Sequence, residues 1–269
     1  MDKIDFDEMG KYFTKSARTL RRWEKEKPQK FQIMLEEFLR ETEQPTVNNN
    51  NLIVVANFKG GVGKSTTSDA LAYYLDDAVV FNIDITHSSK NTNAAPTVDY
   101  AKYMEKFTVT QMIEELHKKY RYVVVDTGGE ATQEVIEVVK LTRNVIIPLT
   151  VGKRAREVTI NTINTFFGKN SDIQGEYKIF FLFNAYLNKK KRDTAYSKFS
   201  QAYKTIDKNS DIKLKSVIGT LDYSDAISTA EEEGKSIFEL ANENRAAYKS
   251  ILGKITLLCR SIENHFNLD

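Results

Sequence analysis

Leu52-Ile53-Val54-Val55-Ala56-Asn57-Phe58-Lys59-Gly60-Gly61-Val62-Gly63-Lys64-Ser65-Thr66-Thr67 is the stretch from which the fold follows. A β-branched apolar run is followed, after Ala56-Asn57-Phe58-Lys59, by three glycines within four positions, and a helical pattern over Ser65 to Leu75 comes next. Glycines at 60, 61 and 63 let a backbone wrap closely around phosphate oxygens, because N–H groups can point inward without a Cβ in the way. The helix that opens behind them adds partial positive charge at its N-terminus. Gly60, Gly61, Val62, Gly63, Lys64, Ser65 and Thr66 are therefore the candidate phosphate-binding residues. Lys64 is expected to reach the β and γ phosphates and the Ser65 hydroxyl to ligate Mg²⁺. A plain glycine turn between a strand and a helix gives Lys64-Ser65 no packing use.

Outward from this loop the chain alternates short apolar runs with helical patterns. Strands are expected over Leu52–Asn57, Ala78–Asp84, Tyr122–Asp126, Val145–Pro148 and Lys178–Asn184. Helices are expected over Ser65–Leu75, Val109–Lys118, Ala131–Leu141, Arg156–Phe167 and Asp193–Ile206. Such alternation implies an α/β, doubly wound, mostly parallel sheet with ligand at the carboxyl ends of the strands, and the glycine loop makes it one of the P-loop NTPase kind. Residues 1–44 form a small N-terminal helical module, 45–51 a polar linker with Pro45 and four asparagines, and 52–269 the main domain. With 269 residues and 41% hydrophobic content the chain can bury one sizeable core plus such an appendage.

Two further acids stand at strand ends. Asp84 closes Phe81-Asn82-Ile83-Asp84, where an acid can orient an attacking water or hold magnesium's water shell. Asp126 closes Tyr122-Val123-Val124-Val125 and precedes Thr127-Gly128-Gly129, the arrangement that holds magnesium in P-loop NTPases. Asn184 ends a third strand, and its amide offers both a donor and an acceptor to a base edge.

A strict phosphate loop carries glycine six residues before its lysine, and here that position is Phe58. Lys59-Gly60-Gly61-Val62-Gly63-Lys64-Ser65 instead resembles the deviant loop of the ParA/MinD superfamily, its ParA branch in particular. The resemblance spans about residues 52 to 258 and includes the Asp-Thr-Gly-Gly run at 126–129. It implies an ATPase that uses ATP/ADP and Mg²⁺ and forms a nucleotide-sandwich homodimer. It also implies that Lys59 crosses to the partner's phosphates, charge supplied in trans in the manner of an arginine finger. Lys59, Lys64 and Asp84 become the candidate catalytic residues, Ser65 and Asp126 the metal residues, and Asn184 the adenine contact. DNA and a ParB-like centromere-binding protein are the implied partners. The family usually continues Asp-Pro-Gln after the catalytic aspartate and often has Asp at position 82. This chain has Ile85-Thr86-His87-Ser88-Ser89 and Asn82.

Charge is unevenly spread. The net charge is +2, yet Lys178 to Lys215 holds ten Lys or Arg against three Asp, so the remainder of the chain is net acidic. Lys189, Lys190, Lys191 and Arg192, with Lys198 on the following helix, are the candidate surface for non-specific binding to DNA phosphates, against the alternative of a solvated basic loop. In the N-terminal module Asp5–Tyr12 reads as a short helix, Phe13-Thr14-Lys15 as a turn and Ser16 as the cap of a second helix. Arg18, Arg21 and Arg22 share one face of that second helix. Ten basic and ten acidic residues in 1–44 leave two readings, a DNA-binding helix-turn-helix and a helical protein-interaction arm. A nucleotide-switched transcriptional regulator and a ParA-like positioner of another cargo are the alternative functions.

One cysteine, Cys259, excludes an internal disulfide. Three dispersed histidines give no zinc spacing. Met1 to Gly10 has no apolar signal core and no run of 18 apolar residues occurs, so a cytoplasmic, nucleoid-associated protein without a membrane partner is expected. Arg245 to Phe266 reads as an amphipathic helix packed on the sheet, because its acidic end suits anionic lipid poorly.

Overall fold

The computed structural model describes residues 11, 16–31, 34, 50–85, 95–169, 171, 173, 175–184, 189–209, 212–221, 225–233 and 235–268. The chain divides into two compact units, Met1–Thr46 and Val47–Asp269. In the first, α1 (Ala17–Glu26) begins at Ser16, whose hydroxyl accepts from the Thr19 N–H. Leu20 is fully buried, Trp23 lies under the Lys30 ammonium, and Arg18, Arg21 and Arg22 face solvent. The expected helix Asp5–Tyr12 and turn 13–15 lie outside the described residues, apart from Lys11.

The second unit is built on a seven-stranded sheet: β1 (Leu52–Val55), β2 (Ala78–Asn82), β3 (Thr97–Asp99), β4 (Tyr122–Asp126), β5 (Asn144–Thr150), β6 (Glu176–Asn184) and β7 (Lys213–Leu221). The spatial order is β3-β2-β4-β1-β5-β6-β7. Every pair is parallel, so the sheet is wholly rather than mostly parallel. β1 sits in the middle, and the chain builds one half of the sheet before crossing it to build the other. That reversal opens a crevice at the carboxyl end of β1.

Helices α2 (Lys64–Tyr74), α3 (Val109–His117), α4 (Gln133–Leu141), α5 (Lys153–Phe167), α6 (Lys189–Asn209), α7 (Asp225–Glu233), α8 (Ile237–Glu243) and α9 (Arg245–Phe266) cover both faces. Strand alternation decides which residues meet which layer. Leu52, Val54, Val79, Phe81, Val123, Val125, Ile179 and Phe181 pack on α3, α4, α5 and α6. Ile53, Val55, Val80, Val124, Phe180 and Leu182 pack on α2, α8 and α9. Within α9, Ile251, Ile255, Leu258 and Ile262 are buried at helical spacing.

Several expectations need correction. The strand expected through Asp84 ends at Asn82, and the one expected through Asn57 ends at Val55. Lys189 to Arg192 are not a loop but open α6. β3, at three residues, is too short to leave a periodic signal. β7 leaves none either, because it is an edge strand, exposed or half-buried along its length, and so carries no apolar run. Its Gly219 is dictated by packing, since a Cβ there would stand 2.5 Å from the Phe180 ring. Among the described residues no helix is long and apolar enough to cross a membrane.

Candidate nucleotide site

β1, β2, β4 and β6 deliver their last residues to one edge of the sheet. Register explains the grouping: Val55 pairs with Asp126, Asp126 with Asn82, and Asn82 with Asp99, so these strand ends lie in one row. The glycine loop leaves β1 above this row.

Asn57, fully buried, anchors the start of the loop. Its amide donates to the Pro148 carbonyl (2.7 Å) and to Thr159 Oγ1 (2.8 Å), while its Oδ1 accepts from the Lys59 N–H (2.9 Å) and from Thr162 Oγ1. The Phe58 N–H donates to Thr162 Oγ1. Two threonines of α5 thus fix where the loop leaves the sheet. Sequence reasoning assigns Asn57 no role; a polar amide directly after a β-branched run is the signal that could have found it.

Gly61 (φ 68°) and Gly63 (φ 90°) hold the left-handed backbone that glycine alone adopts without strain. A Cβ at Gly60 or Gly61 would meet no atom within 4 Å, so the inner wall of the loop is open. α2 starts at Lys64 with Gly63 as its N-cap and no side-chain cap. No side chain caps this N-terminus, whose partial positive charge suits an anion. Thr67 instead hydrogen-bonds back to the Gly63 carbonyl, at 2.6 Å from its hydroxyl.

Lys64 is buried, and its ammonium donates to the Lys59 carbonyl at 3.4 Å. Burial lowers its pKa from the ordinary lysine value, Asp126 and Asp84 pull it back up, and Lys59 lowers it further. Asp126 moves the opposite way, to about 6. Burial is the main cause and Asp84 adds to it, whereas Ser65, Lys64 and Ser68 oppose the rise. Asp126 Oδ1 is buried with no hydrogen-bond partner among the described residues. Each charge is thus incompletely compensated by the protein.

A metal ion and a phosphate would supply the charges that Asp126 and Lys64 lack. An orphaned carboxylate oxygen beside the Ser65 hydroxyl is an oxygen donor set suited to Mg²⁺, and the open loop with Lys64 is suited to a polyphosphate. Among the described residues no group of three or more His, Cys, Asp or Glu is arranged to hold a metal alone. Magnesium tolerates this, because it takes most of its ligands from water and phosphate.

Asp84 lies two residues beyond β2 and is half-buried, with Gly128 against it: a Cβ on Gly128 would sit 3.2 Å from the Asp84 carboxyl carbon. A Cβ on Gly129 would stand 3.6 Å from the Gly60 nitrogen, an ordinary contact. The segment after β4 thus runs between Asp84 and the phosphate loop, and Gly128 is where a side chain would crowd Asp84. Thr127 ties that segment to β1 through the Val55 carbonyl. Asn184 reaches the loop itself, its amide donating to the Val62 carbonyl at 3.0 Å, while its Oδ1 is buried without a partner among the described residues. One half of this amide is engaged with the protein and the acceptor half is not.

Lys59 is half-buried, and its ammonium donates to its neighbour's carbonyl, Gly60 O, at 2.9 Å. It is not drawn into the pocket with Lys64. On the candidate DNA surface Lys198 is exposed, and the side chains of Lys189 to Arg192 lie outside the described residues. α6 begins five residues after Asn184, a reach of at most about 18 Å. Position 85 onward departs from the expected pattern, but only Ile85 is described, and it is exposed.

Residues 53–237, well over half of the chain, match the family described as the CobQ/CobB/MinD/ParA nucleotide binding domain. A search of curated proteins finds no match. The fold is similar to the MinD cell division protein of Aquifex aeolicus (14% identity, TM-score 0.55, covering 80% of this chain and 97% of that one). It is also similar to pNOB8 ParA (12%, TM-score 0.54, 81% and 98%). A third match is an ATP complex of a Cyanothece McdA variant (12%, TM-score 0.50, 81% and 97%). At these identities the likeness is one of fold.

Proposed function

The chain belongs to the CobQ/CobB/MinD/ParA nucleotide-binding domain family, and from that premise we propose that it is a ParA-like partition ATPase switched by Mg-ATP. ATP occupies the loop from Lys59 to Thr67, with Lys64 on the β and γ phosphates and Ser65 and Asp126 on the metal. When bound, Mg²⁺ neutralises phosphate charge and orients the triphosphate. Asp84, standing over Gly128 beside the loop, positions the attacking water. Asn184 offers its unpartnered Oδ1 to the adenine amino group. Lys59 supplies its charge to a second copy, forming a sandwich homodimer.

The observation that carries this reading is the paired deficit of Lys64 and Asp126. A buried cation and a buried carboxylate with an orphaned oxygen converge where the loop is open. In a folded protein such a deficit persists at the expense of stability, and a functional ligand accounts for it.

In the ATP-bound dimer the basic start of α6 forms a DNA surface that binds by counterion release, and hydrolysis, stimulated by a ParB-like partner, ends the contact. A salt titration of binding to random-sequence duplex with ATP, with ADP and without nucleotide tests this. Binding in ATP alone, weakening steeply with salt, is expected; equal binding in all three states rejects the switch.

A nucleotide-toggled repressor is the second reading. The exposed Arg18, Arg21 and Arg22 on the Ser16-capped helix α1 favour it. Preference of the full chain for its own promoter fragment over random DNA, lost when the three arginines become alanine, distinguishes the two.

A further inference from the structure

Asn82 stands where the sheet passes from β2 into the segment that carries Asp84, and it is 4% exposed. Its side chain makes two different bonds. Nδ2 donates to Asp99 Oδ1 of edge strand β3 at 3.0 Å, and Oδ1 accepts the Asp84 backbone N–H at 3.0 Å. The chemistry allows this in only one orientation, since an ionised carboxylate only accepts and a backbone N–H only donates. Asn82 and Asp99 are also register partners of the β2–β3 pair, so the sheet itself holds them face to face. Asp99 is 9% exposed, and its other oxygen, Oδ2, pairs with the Lys102 ammonium at 3.1 Å.

We propose that Asn82 is a positioning residue: through Asp99 it locks edge strand β3 to the backbone of Asp84 and so sets where the Asp84 carboxylate stands over the nucleotide loop. The role of Asp84 in hydrolysis rests on the ATPase reading above, whereas the lock itself is a property of the nucleotide-free fold. An amide is required at position 82 because one side chain must give a proton to one neighbour and take one from another. Aspartate there would set two carboxylates against each other at hydrogen-bond distance, with Asp84 and Asp126 close by. The consequence is that β3, at the margin of the sheet and remote from the loop in sequence, takes part in the site.

A donor–acceptor exchange tests it. Asn82→Asp removes the donor. Asn82→Asp combined with Asp99→Asn reinstates the bond in reverse, because the new amide at 99 donates to the carboxylate at 82, whose other oxygen still accepts from the Asp84 N–H. The first readout is hydrogen exchange of the Asp84 amide in nucleotide-free protein. Asn82→Asp and Asp99→Ala should speed it about ten- to a hundredfold, the range for hydrogen bonds to charged groups. Asp99→Asn and the double variant should stay within about threefold of the parent.

The second readout separates Kd for Mg-ATP, expected to be unchanged in all four variants, from kcat, expected to fall with Asn82→Asp and return in the double variant. A double variant no better than Asn82→Asp overturns the proposal. So does an Asp84 amide indifferent to Asp99→Ala, a comparison that stands even where Asn82→Asp does not fold. A parent protein that binds no Mg-ATP overturns the ATPase reading instead and leaves the exchange result intact.

Discussion

Replacing Asp126 with asparagine should make the nucleotide-free protein more stable while weakening its hold on Mg-nucleotide. Asp126 is buried and its pKa stands at about 6 rather than 3.8, so the folded chain binds more protons than the unfolded chain between those two values. Where that is so, stability falls as pH rises. The stability that neutral Asp126 permits is fully present below about 4 and is lost as pH climbs through about 6, above which it stays lost. A shift of this size corresponds to about 3 kcal/mol at neutral pH. Asparagine keeps the shape, carries no charge and escapes that penalty. Part of the gain is offset because Lys64 loses the attraction of Asp126, and a net of about 1–2 kcal/mol is expected. Urea unfolding of both proteins at several pH values between 4.5 and 8 reads it directly. The difference should open on passing from pH 4.5 to about 6.5 and then level off, while magnesium no longer strengthens nucleotide binding by the variant. Parallel stability curves, or a variant less stable at pH 8, would refute the reasoning that Asp126 is an uncompensated buried acid.

Other outcomes follow from the same geometry. Lys59→Ala should leave ATP affinity within about threefold, since the ammonium bonds only its neighbour's carbonyl in the described structure, yet abolish ATP-dependent dimerisation by sedimentation and the turnover that needs it. Gly63→Ala forces a side chain to φ 90° with its Cβ 2.8 Å from Asn184 Nδ2 and should cost about 1–3 kcal/mol. Gly60→Ala, with nothing within 4 Å of its Cβ and no positive φ, should leave the melting temperature nearly unchanged. Comparing the two melting curves checks both.

Much of the chain declares itself without coordinates. Wherever neighbours in sequence are neighbours in space, local pattern suffices: the glycine loop between β1 and α2, the apolar run ending in Asp126, the Ser16 cap and the stripe along α9. Parallel strands with helical crossovers also follow from alternation alone, since no short turn can connect them. Elements without a strong periodic signal stay hidden. β3 is three residues long, β7 is an edge strand exposed or half-buried along its length, and the helix Ile237–Glu243 has seven residues.

What only the tertiary structure decided is partnership across the sheet. No spacing rule links Asn57 to Thr159 and Thr162, Gly128 to Asp84, or Asn82 to Asp99. Those contacts arise because strand order and register bring the carboxyl ends of separate strands into one row. Burial is likewise a collective property. The same aspartate that reads as an ordinary acid in sequence becomes hard to ionise once α2 and the sheet exclude water from it. A motif therefore identifies which groups can meet a phosphate, while the packed sheet determines which of them stand uncompensated and how firmly each is held.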